Sequence, residues 1–462
     1  MAKTEAVRPL DAGWLWLESD TNLMHGSFLA VFDSPADGGS DFVDRLAEQM
    51  ATHTVPTPPF DRRLKPGWSA RLRPRWEIVG EIDPARHLRR STLPAPGGQR
   101  ELGELVSNLH GTALDHERPP WRVDLIDGLE GGRFAVLGRM HHALVDGVAA
   151  VRIVSYWLSE DPDEREMPPI WAYRRPSLGT AGHGAAGDGR ASTARALPGA
   201  LLGALPAGAR AARNAITGVS ARPWSAPRST LNTPISARRR VSTRSYELAR
   251  FRALADRSGG TINDVVLAVC AGALRRYLSQ TDNLPARSLV TNIPVSLRSR
   301  EEDGEGNRIS WAMLALATDV ADPGERLATI IAASSAAKRR LSEMPGGAID
   351  AYTLLTVTPI LLEQLSRVGG RVPPLFNVPI SNVPGPRKPL HLNGARLEEI
   401  QALTVIYGGY GLNIVTLSYA EKLDFAFTAC ADTVPHSQRL AVYSDDALAE
   451  LEDALNGRGV SV

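Results

Sequence analysis

Residues 133–147 read RFAVLGRMHHALVDG. The run up to Met140 is compact and apolar, a pattern that predicts a buried β-strand. From Val148 to Leu158 the apolar residues recur with helical spacing, which predicts a helix directly after a tight turn. The strand, turn and helix together bring two histidines and one carboxylate to the end of a strand.

Side chains alternate along a strand, so His141 and His142 have different surroundings. His142 shares a face with Met140, whereas His141 points the other way with Arg139. Asp146 follows in the turn, where its carboxylate can fold back near the imidazole. This arrangement predicts that His142 is a general base and that Asp146 holds it in place.

Three other interpretations of this segment remain open. Asp146 is well placed to be the N-cap of the following helix, a common role for aspartate. The two histidines are also compatible with a core in which their hydrogen bonds are satisfied. A metal site is disfavoured, because adjacent strand residues face opposite ways, no Glu completes an H-E-x-x-H helix and no Cys lies nearby. We therefore expect no metal.

The spelling His-His-x-x-x-Asp-Gly, from His141 to Gly147, resembles the active-site motif of the coenzyme-A-dependent acyltransferase superfamily. That superfamily includes chloramphenicol acetyltransferase, peptide-synthetase condensation domains and the bacterial wax ester synthase/diacylglycerol acyltransferases. Further segments are similar to the last of these families: residues 9–18, 22–25, 114–121, 130–135, 263–278, 293–298 and 381–386. The family's Pro-Leu-Trp motif is here Pro119-Pro120-Trp121, and the second proline stiffens the segment that carries Trp121.

The resemblance implies an α/β fold of mixed α+β sandwich layers. It consists of two chloramphenicol-acetyltransferase-like domains with an active-site tunnel between them. A chain of 462 residues also exceeds what one core usually supports. We expect an N-terminal domain over residues 1–176, a flexible linker rich in Gly, Ala, Pro and Arg over 177–240, and a C-terminal domain over 241–462. The apolar segment 196–205 is a short helix candidate, for its own domain or for a lipid surface.

Composition excludes several classes of protein. The formal net charge of +1 argues against a nucleic-acid partner. Cys270 and Cys430, the only two cysteines, lie in apolar runs and indicate buried free thiols in a reducing compartment. No signal peptide is predicted. The apolar stretch 348–365 is interrupted by acidic residues and a proline, which suits a buried helix better than a bilayer span. We expect a cytoplasmic bacterial protein.

The second half of the chain supplies further candidates. By local rules Thr261 or Asn263 is the N-cap of a helix, with Asp264 in its first turn. The resemblance instead implies that Asn263 and Asp264 belong to the active-site motifs, with Asn263 lining the substrate channel. It also implies that Arg298 pairs with Asp146, as an arginine does in related acyltransferases, in a buried or half-buried contact that holds the turn rigid.

Ser381 and Asn382 stand before a Pro-Gly-Pro sequence, where turn chemistry is the plain interpretation. In the superfamily a matching strand crosses between the two halves. The resemblance therefore offers these side chains as hydrogen-bond donors to the thioester oxygen.

The resemblance implies direct acyl transfer from acyl-coenzyme A, a substrate, with no cofactor. His142 removes the hydroxyl proton of the acceptor, and the backbone N–H near Gly147 or the side chain of Asn263 or Asn382 stabilises the oxyanion. No Gly-x-Ser-x-Gly elbow is present, so no covalent intermediate is expected. The acceptor is diacylglycerol, giving triacylglycerol, or a long-chain alcohol, giving a wax ester. Such substrates favour peripheral association with the inner membrane or with storage-lipid droplets.

Two alternatives differ in class. A condensation-type acyltransferase takes its acyl group from a carrier protein. A non-catalytic lipid-binding paralogue binds without turnover, but it has no chemical reason to keep both His142 and Asp146.

Overall fold

A computed structural model describes residues 3–67, 73–174, 225–296, 309–343 and 358–457. Strands and helices are mixed along these residues, and the strands form two six-stranded sheets and one three-stranded sheet. The small sheet has the order β1-β4-β3 and consists of Thr4–Ala6, Arg75–Ile78 and Arg62–Leu64. Besides the helical residues 358–365, the helices are α1 Pro9–Leu17, α2 Phe42–Ala51, α3 Pro84–His87, α4 Gln99–His110, α5 Gly147–Trp157, α6 Leu248–Ser258, α7 Ile262–Gln280, α8 Pro323–Glu343 and α9 Arg439–Gly457.

The first large sheet has the order β12-β13-β2-β7-β6-β5. In that order its strands are His391–Leu392, Ala395–Leu403, His25–Asp33, Arg133–His141, Trp121–Leu129 and Leu88–Thr92. β6 and β7 form an antiparallel hairpin whose turn contains Gly131 and Gly132, both at positive φ. This region of backbone space favours glycine, so the sequence itself sets the turn that starts β7.

β7 is the buried strand that the sequence predicts. On one face Phe134, Val136 and Met140 enter a core that also contains residues of α5. On the other face Ala135 and Leu137 pack against α4 in a separate core. Burial on both faces explains why the strand is apolar along most of its length.

The second large sheet has the order β10-β9-β11-β14-β15-β8. In that order its strands are Ile309–Ala315, Val290–Ser296, Val378–Pro384, Leu412–Tyr419, Lys422–Cys430 and Arg239–Glu247. α7 lies at the centre of its core and buries most of its side chains. Cys270 and Cys430 are buried free thiols, as the sequence predicts.

One strand connects the two halves. β13 follows β11 in sequence but pairs antiparallel with β2 in the first sheet, while the Ile400 N–H donates to Asp424 Oδ2 of the second sheet at 2.9 Å. Part of the C-terminal half therefore completes the N-terminal sheet. The domain limits at residues 176 and 240 stay predictions.

Two predicted segments need comment. Residues 175–224, with most of the predicted linker and the apolar segment 196–205, lie outside the described residues. The part of the predicted linker that the structure describes, from residue 225 on, packs onto the second half of the chain. There the buried Asn232 side chain donates to the Gly409 carbonyl at 2.8 Å. Residues 358–365 are helical, but their leucines are exposed, Leu362 by 61%. The expectation of a buried helix is wrong for this part, because its three leucines lie on the outer face. No described helix is long and apolar enough to span a membrane.

Candidate active site

The two histidines lie where β7 ends. β2 and β7 are in register at this point, so His25 lies opposite His141. The next residue leaves the ladder and begins the turn, and the His142 N–H donates to the Met24 carbonyl at 2.8 Å. This hydrogen bond fixes the backbone of His142 to the segment that enters β2. Because His142 lies one residue past the end of β7, the strand does not fix the direction of its side chain.

The His142 side chain has few polar contacts. It stacks on Trp14 of α1 with ring centroids 4.1 Å apart. Its Nδ1 is buried without a hydrogen-bond partner among the described residues. Burial lowers the pKa of His142 to about 4, and the charge of Asp146 opposes this shift only in part. The imidazole is therefore neutral near pH 7 and can accept a proton.

His141 is fully buried and has defined partners. The Ala143 N–H donates to its Nδ1 at 3.1 Å, so in the neutral ring the proton is on Nε2. That nitrogen lies 3.4 Å from Glu18 Oε2 at the end of α1. His141 contacts both the backbone of the turn, at Ala143, and the end of α1, at Glu18. It therefore supports the conformation of the segment that carries His142.

Glu18 binds a second histidine. His116 Nε2 lies 2.7 Å from the same Oε2 atom. Burial alone would raise the pKa of Glu18, but the hydrogen bonds from His116 and His141 hold it well below its ordinary value. Burial also opposes the charge of His116, yet Glu18 keeps the pKa of His116 above its usual range. The group is an ionised carboxylate that orders two imidazoles.

Glu18, His116 and His141 are close enough to be considered as metal ligands. The tautomer of His141 argues against that role. Its Nδ1 lone pair accepts the Ala143 N–H, so Nε2 carries the proton and has no lone pair for an ion. The donor set therefore suits a hydrogen-bonded ion pair better than a metal.

Asp146 differs from the expected buried pair. It is exposed and caps α5, since its Oδ1 accepts the Ala149 N–H at 2.8 Å. This exposure corrects the prediction that Asp146 is buried or half-buried, and its pairing with Arg298 stays a prediction. Arg298, its predicted partner, lies outside the described residues. The short turn leaves the carboxylate over the first helical N–H groups, a favourable place for a negative charge.

α1 follows the site along its length. At its start Arg8 binds Asp11 at 2.6 Å, and both Asp11 and, more weakly, Asp146 raise the pKa of Arg8. At its end Glu18 holds His141. The helix thus covers the turn of the histidine motif and places Trp14 against the His142 ring.

The candidates of the second half are dispersed. Thr261 is the N-cap of α7, one of the two local alternatives. Asp264 is buried and accepts hydrogen bonds from the Thr261 N–H at 2.9 Å and from Ser334 Oγ at 2.5 Å, which is a structural role. Asn263 is half-buried, and its side chain makes no hydrogen bond to another described residue. No described contact joins Asn263 or Asp264 to the His142 turn.

Ser381 and Asn382 are not turn residues, because both lie inside β11. Asn382 Oδ1 accepts a hydrogen bond from Thr416 of β14 at 3.0 Å. The strand that crosses to the first sheet is β13, so the suggested link between the crossing strand and these residues is wrong. Trp121 is buried and donates from Nε1 to the Phe60 carbonyl at 2.8 Å, which supports the packing behind the site.

Sequence reasoning missed Trp14, Glu18 and His116 as members of the site. All three lie in segments 9–18 and 114–121, which are similar to the family of the motif. Those segments were a signal that they meet the histidines, but their pairing requires tertiary structure.

Comparisons with known proteins agree with this geometry. The chain matches the family model of the wax ester synthase/diacylglycerol acyltransferase catalytic domain over residues 7–266. It matches the C-terminal domain of the same family over residues 305–452. A probable diacylglycerol O-acyltransferase of Mycobacterium tuberculosis is 37% identical over 453 residues, covering 98% of this chain and 99% of the relative. A second, putative one from the same species is 38% identical over 450 residues, covering 97% and 100%.

Solved structures give the same result. A wax ester synthase/diacylglycerol acyltransferase from Marinobacter aquaeolei superposes with a TM-score of 0.80 at 36% identity, covering 98% of this chain and 99% of that one. The expected two-domain fold is thereby confirmed. The first condensation domain of the calcium-dependent antibiotic synthetase has a TM-score of 0.56 at 17% identity, covering 98% of this chain and 96% of that one. That likeness concerns the fold alone.

Proposed function

Because the chain belongs to the wax ester synthase/diacylglycerol acyltransferase family, we propose that His142 is the general base of its acyl transfer. The donor is a long-chain acyl-coenzyme A and the acceptor is diacylglycerol or a long-chain alcohol. The observation that carries the proposal is the neutral, partner-poor imidazole of His142 at the end of a buried strand. At pH 7 such an imidazole is neutral and keeps a lone pair, the state in which a general base takes up a proton.

The reaction proceeds in two proton-coupled steps. The acceptor hydroxyl attacks the thioester carbon while His142 takes its proton, which forms a carbon–oxygen bond and a tetrahedral oxyanion. The oxyanion then collapses, the carbon–sulfur bond breaks, and His142 returns the proton to the leaving thiolate. The products are an ester and free coenzyme A. The chain itself forms no covalent bond to the acyl group.

Gly147 is the preferred oxyanion donor. As the first residue of α5 it has a backbone N–H without an intrahelical partner, and the positive end of the helix dipole favours a developing negative charge there. A Cβ on Gly147 would meet nothing within 4 Å, so there is room beside this N–H. Asn263 and Asn382 remain weaker candidates, because no described contact places them beside His142.

We propose further that the enzyme works at a lipid surface. Leu361, Leu362 and Leu365 are exposed on the 358–365 helix. The same helix reaches the active-site end of the molecule, since Gln364 Nε2 donates to the Gly408 carbonyl at 2.7 Å and the Gly408 N–H donates to Asn22 Oδ1 at 3.1 Å. Exposed leucines beside the site suit a protein that takes apolar acceptors from a membrane or droplet.

The activity is tested by an acceptor panel. Palmitoyl-coenzyme A is offered with dioleoylglycerol or hexadecanol, and thiol release is followed together with product chromatography. Transfer to at least one hydroxyl acceptor is expected, and palmitoyl bound to a carrier protein is expected to be a poor donor. Transfer from the carrier alone, or binding without turnover, would contradict the proposal.

The lipid surface is tested by flotation with phospholipid-coated trioleoylglycerol droplets. The triple variant L361S/L362S/L365S is expected to be released from the droplets. Val442→Ser changes an exposed apolar residue of α9 and serves as the matched control. Equal droplet binding by the triple variant and the wild type would overturn this part of the proposal.

A further inference from the structure

We propose that a cavity between the two halves, lined by Arg238, Arg239 and Arg240, binds the phosphate groups of the acyl-coenzyme A donor. The cavity has a volume of about 370 Å³ and lies between the end of α4, at Asn108 and Gly111, and the start of β8. This inference rests on the proposed function for the identity of the donor. The arginines themselves indicate the chemistry, because a guanidinium fork matches phosphate oxygens.

Arg239 is the main source of unbalanced charge. Only 6% of its surface is exposed, and it donates to the carbonyls of Ser236 and Thr21. No carboxylate pairs with it in the described part of the chain. Carbonyl oxygens satisfy its N–H groups but leave its full positive charge uncompensated, and such a charge is costly to bury without a counter-ion.

The neighbouring charges do not cancel this excess. Arg238 pairs with Asp432 at 2.6 Å. Arg240 makes no ion pair with any described residue. Glu104 also lines the cavity, but it is shared with Arg100 on α4 at 3.1 Å. The cavity wall therefore retains net positive charge and suits an anion.

The cavity is close enough to His142 to serve one substrate. Arg239 Nη2 donates to the Thr21 carbonyl at 2.7 Å, and the His142 N–H donates to the Met24 carbonyl at 2.8 Å. A fully extended chain from Thr21 to Met24 spans about 11 Å, so the guanidinium lies at most about 16 Å from the His142 backbone. Coenzyme A carries its phosphates and its reacting thioester at opposite ends of a long flexible arm, which fits this separation.

The test compares donors with and without phosphates. Arg240→Ala and the double variant R238A/R240A are made, whereas the buried Arg239 is left intact. Arg244→Ala is the control, because Arg244 lies on the same strand, outside the cavity, and pairs with Asp445. We measure KM for palmitoyl-coenzyme A and for palmitoyl-pantetheine, which lacks the phosphates. Calorimetry measures the binding of coenzyme A, adenosine 3′,5′-bisphosphate and anionic vesicles.

The double variant is expected to raise KM for palmitoyl-coenzyme A by about 10-fold or more, the scale of one lost charge-assisted hydrogen bond. Its KM for palmitoyl-pantetheine and its kcat should match the wild type. Coenzyme A and the bisphosphate should bind to the wild type and the control, and 10-fold more weakly to the double variant. Added salt should weaken these complexes.

Three results would overturn the inference. They are unchanged coenzyme A binding in the double variant, an equal rise in KM for both donors, and a loss confined to anionic vesicles, which would assign the cavity to lipid headgroups. Because calorimetry needs no turnover, coenzyme A binding that depends on these arginines would uphold the site even if the acyl-transfer assay failed.

Discussion

The two sides of the chain at the end of β7 differ in whether their polar groups lie beside a charged partner. On one face His142 contacts Trp14 and keeps a buried nitrogen without a partner. On the other face Arg139 pairs with Asp124 at 3.2 Å with both side chains buried, and His141 is linked to Glu18. The contrast teaches that the group proposed to react lies against an aromatic ring, while the adjacent supporting groups lie against opposite charges, although Arg139 Nε, Asp124 Oδ1 and His141 Nε2 also lack hydrogen-bond partners among the described residues.

Loss of the His142 side chain should have the largest effect. His142→Ala is expected to lower kcat about 10²- to 10⁴-fold, because the general base is removed, with little change in thermal stability. The measurement is thiol release from palmitoyl-coenzyme A beside a melting curve. His436→Asn removes an exposed imidazole and should behave as wild type. Near-normal turnover by the alanine variant would remove His142 from the mechanism.

Loss of one member of the buried Arg139–Asp124 pair should destabilise the fold. Asp124→Ala leaves the Arg139 charge buried and unpaired, which typically costs about 3 to 5 kcal/mol in the free energy of unfolding. The double variant D124L/R139M should lose much less. Urea denaturation of both variants measures this difference. Equal losses in the single and double variants would show that the pair does not carry the cost.

Glu18→Gln tests whether the carboxylate that binds His116 and His141 also affects the reaction at His142. The amide keeps the shape but loses the charge that orders His116 and His141, so we expect kcat to fall roughly 10-fold with KM unchanged, the size of one charge-assisted hydrogen bond. The pKa of His116 should also drop, as read by NMR. Glu117→Gln, a nearby exposed glutamate, is the control. An unchanged kcat together with the lowered pKa of His116 would limit Glu18 to a structural role.

The pH dependence of activity and of stability tests the ionisation of the buried histidines. Burial lowers the pKa of His142 to about 4, so the acid limb of kcat/KM should lie well below pH 6.5. Burial also lowers the pKa of His110 to about 3 and that of His141. Neutral histidines stabilise the fold above the unfolded value near 6.5, and this contribution is lost as pH falls through the folded values. Circular dichroism at each pH separates unfolding from titration, and a kinetic midpoint near 6.5 in folded protein would contradict a buried base.

The smallest effect is expected at Asp146. As an exposed N-cap it should tolerate Asn with little change in stability, whereas Ala should cost about 1 kcal/mol. Thermal melts and initial rates of both variants give the result. A large loss with Asn would favour a charged partner such as Arg298 over the cap.

Part of the site could be predicted from sequence because it depends on neighbours in the chain. The apolar run of β7, the Gly131-Gly132 turn and the cap of α5 are local features with known propensities. The ordered motifs also gave the family and, through it, the fold. The opposite faces of His141 and His142 followed from alternation along a strand.

Other parts were beyond the sequence. The burial of Asp146 was misjudged, because the motif does not reveal which side of a helix start faces solvent. The strand that completes the first sheet could not be identified, because pairing depends on which sheet edge is available and not on the local pattern of β11 or β13. No local pattern assigned a role to Glu18 or His116, because their contact joins segments far apart in the chain.

The sequence by itself determined the strand, turn and helix that carry His142, and through its motifs the family. Only the tertiary structure decided which distant groups meet them. The reason is physical, because contacts between groups far apart in the chain, such as that of Glu18 with His141, are set by packing. Burial, which lowers the pKa of His142, is likewise a property of the assembled molecule.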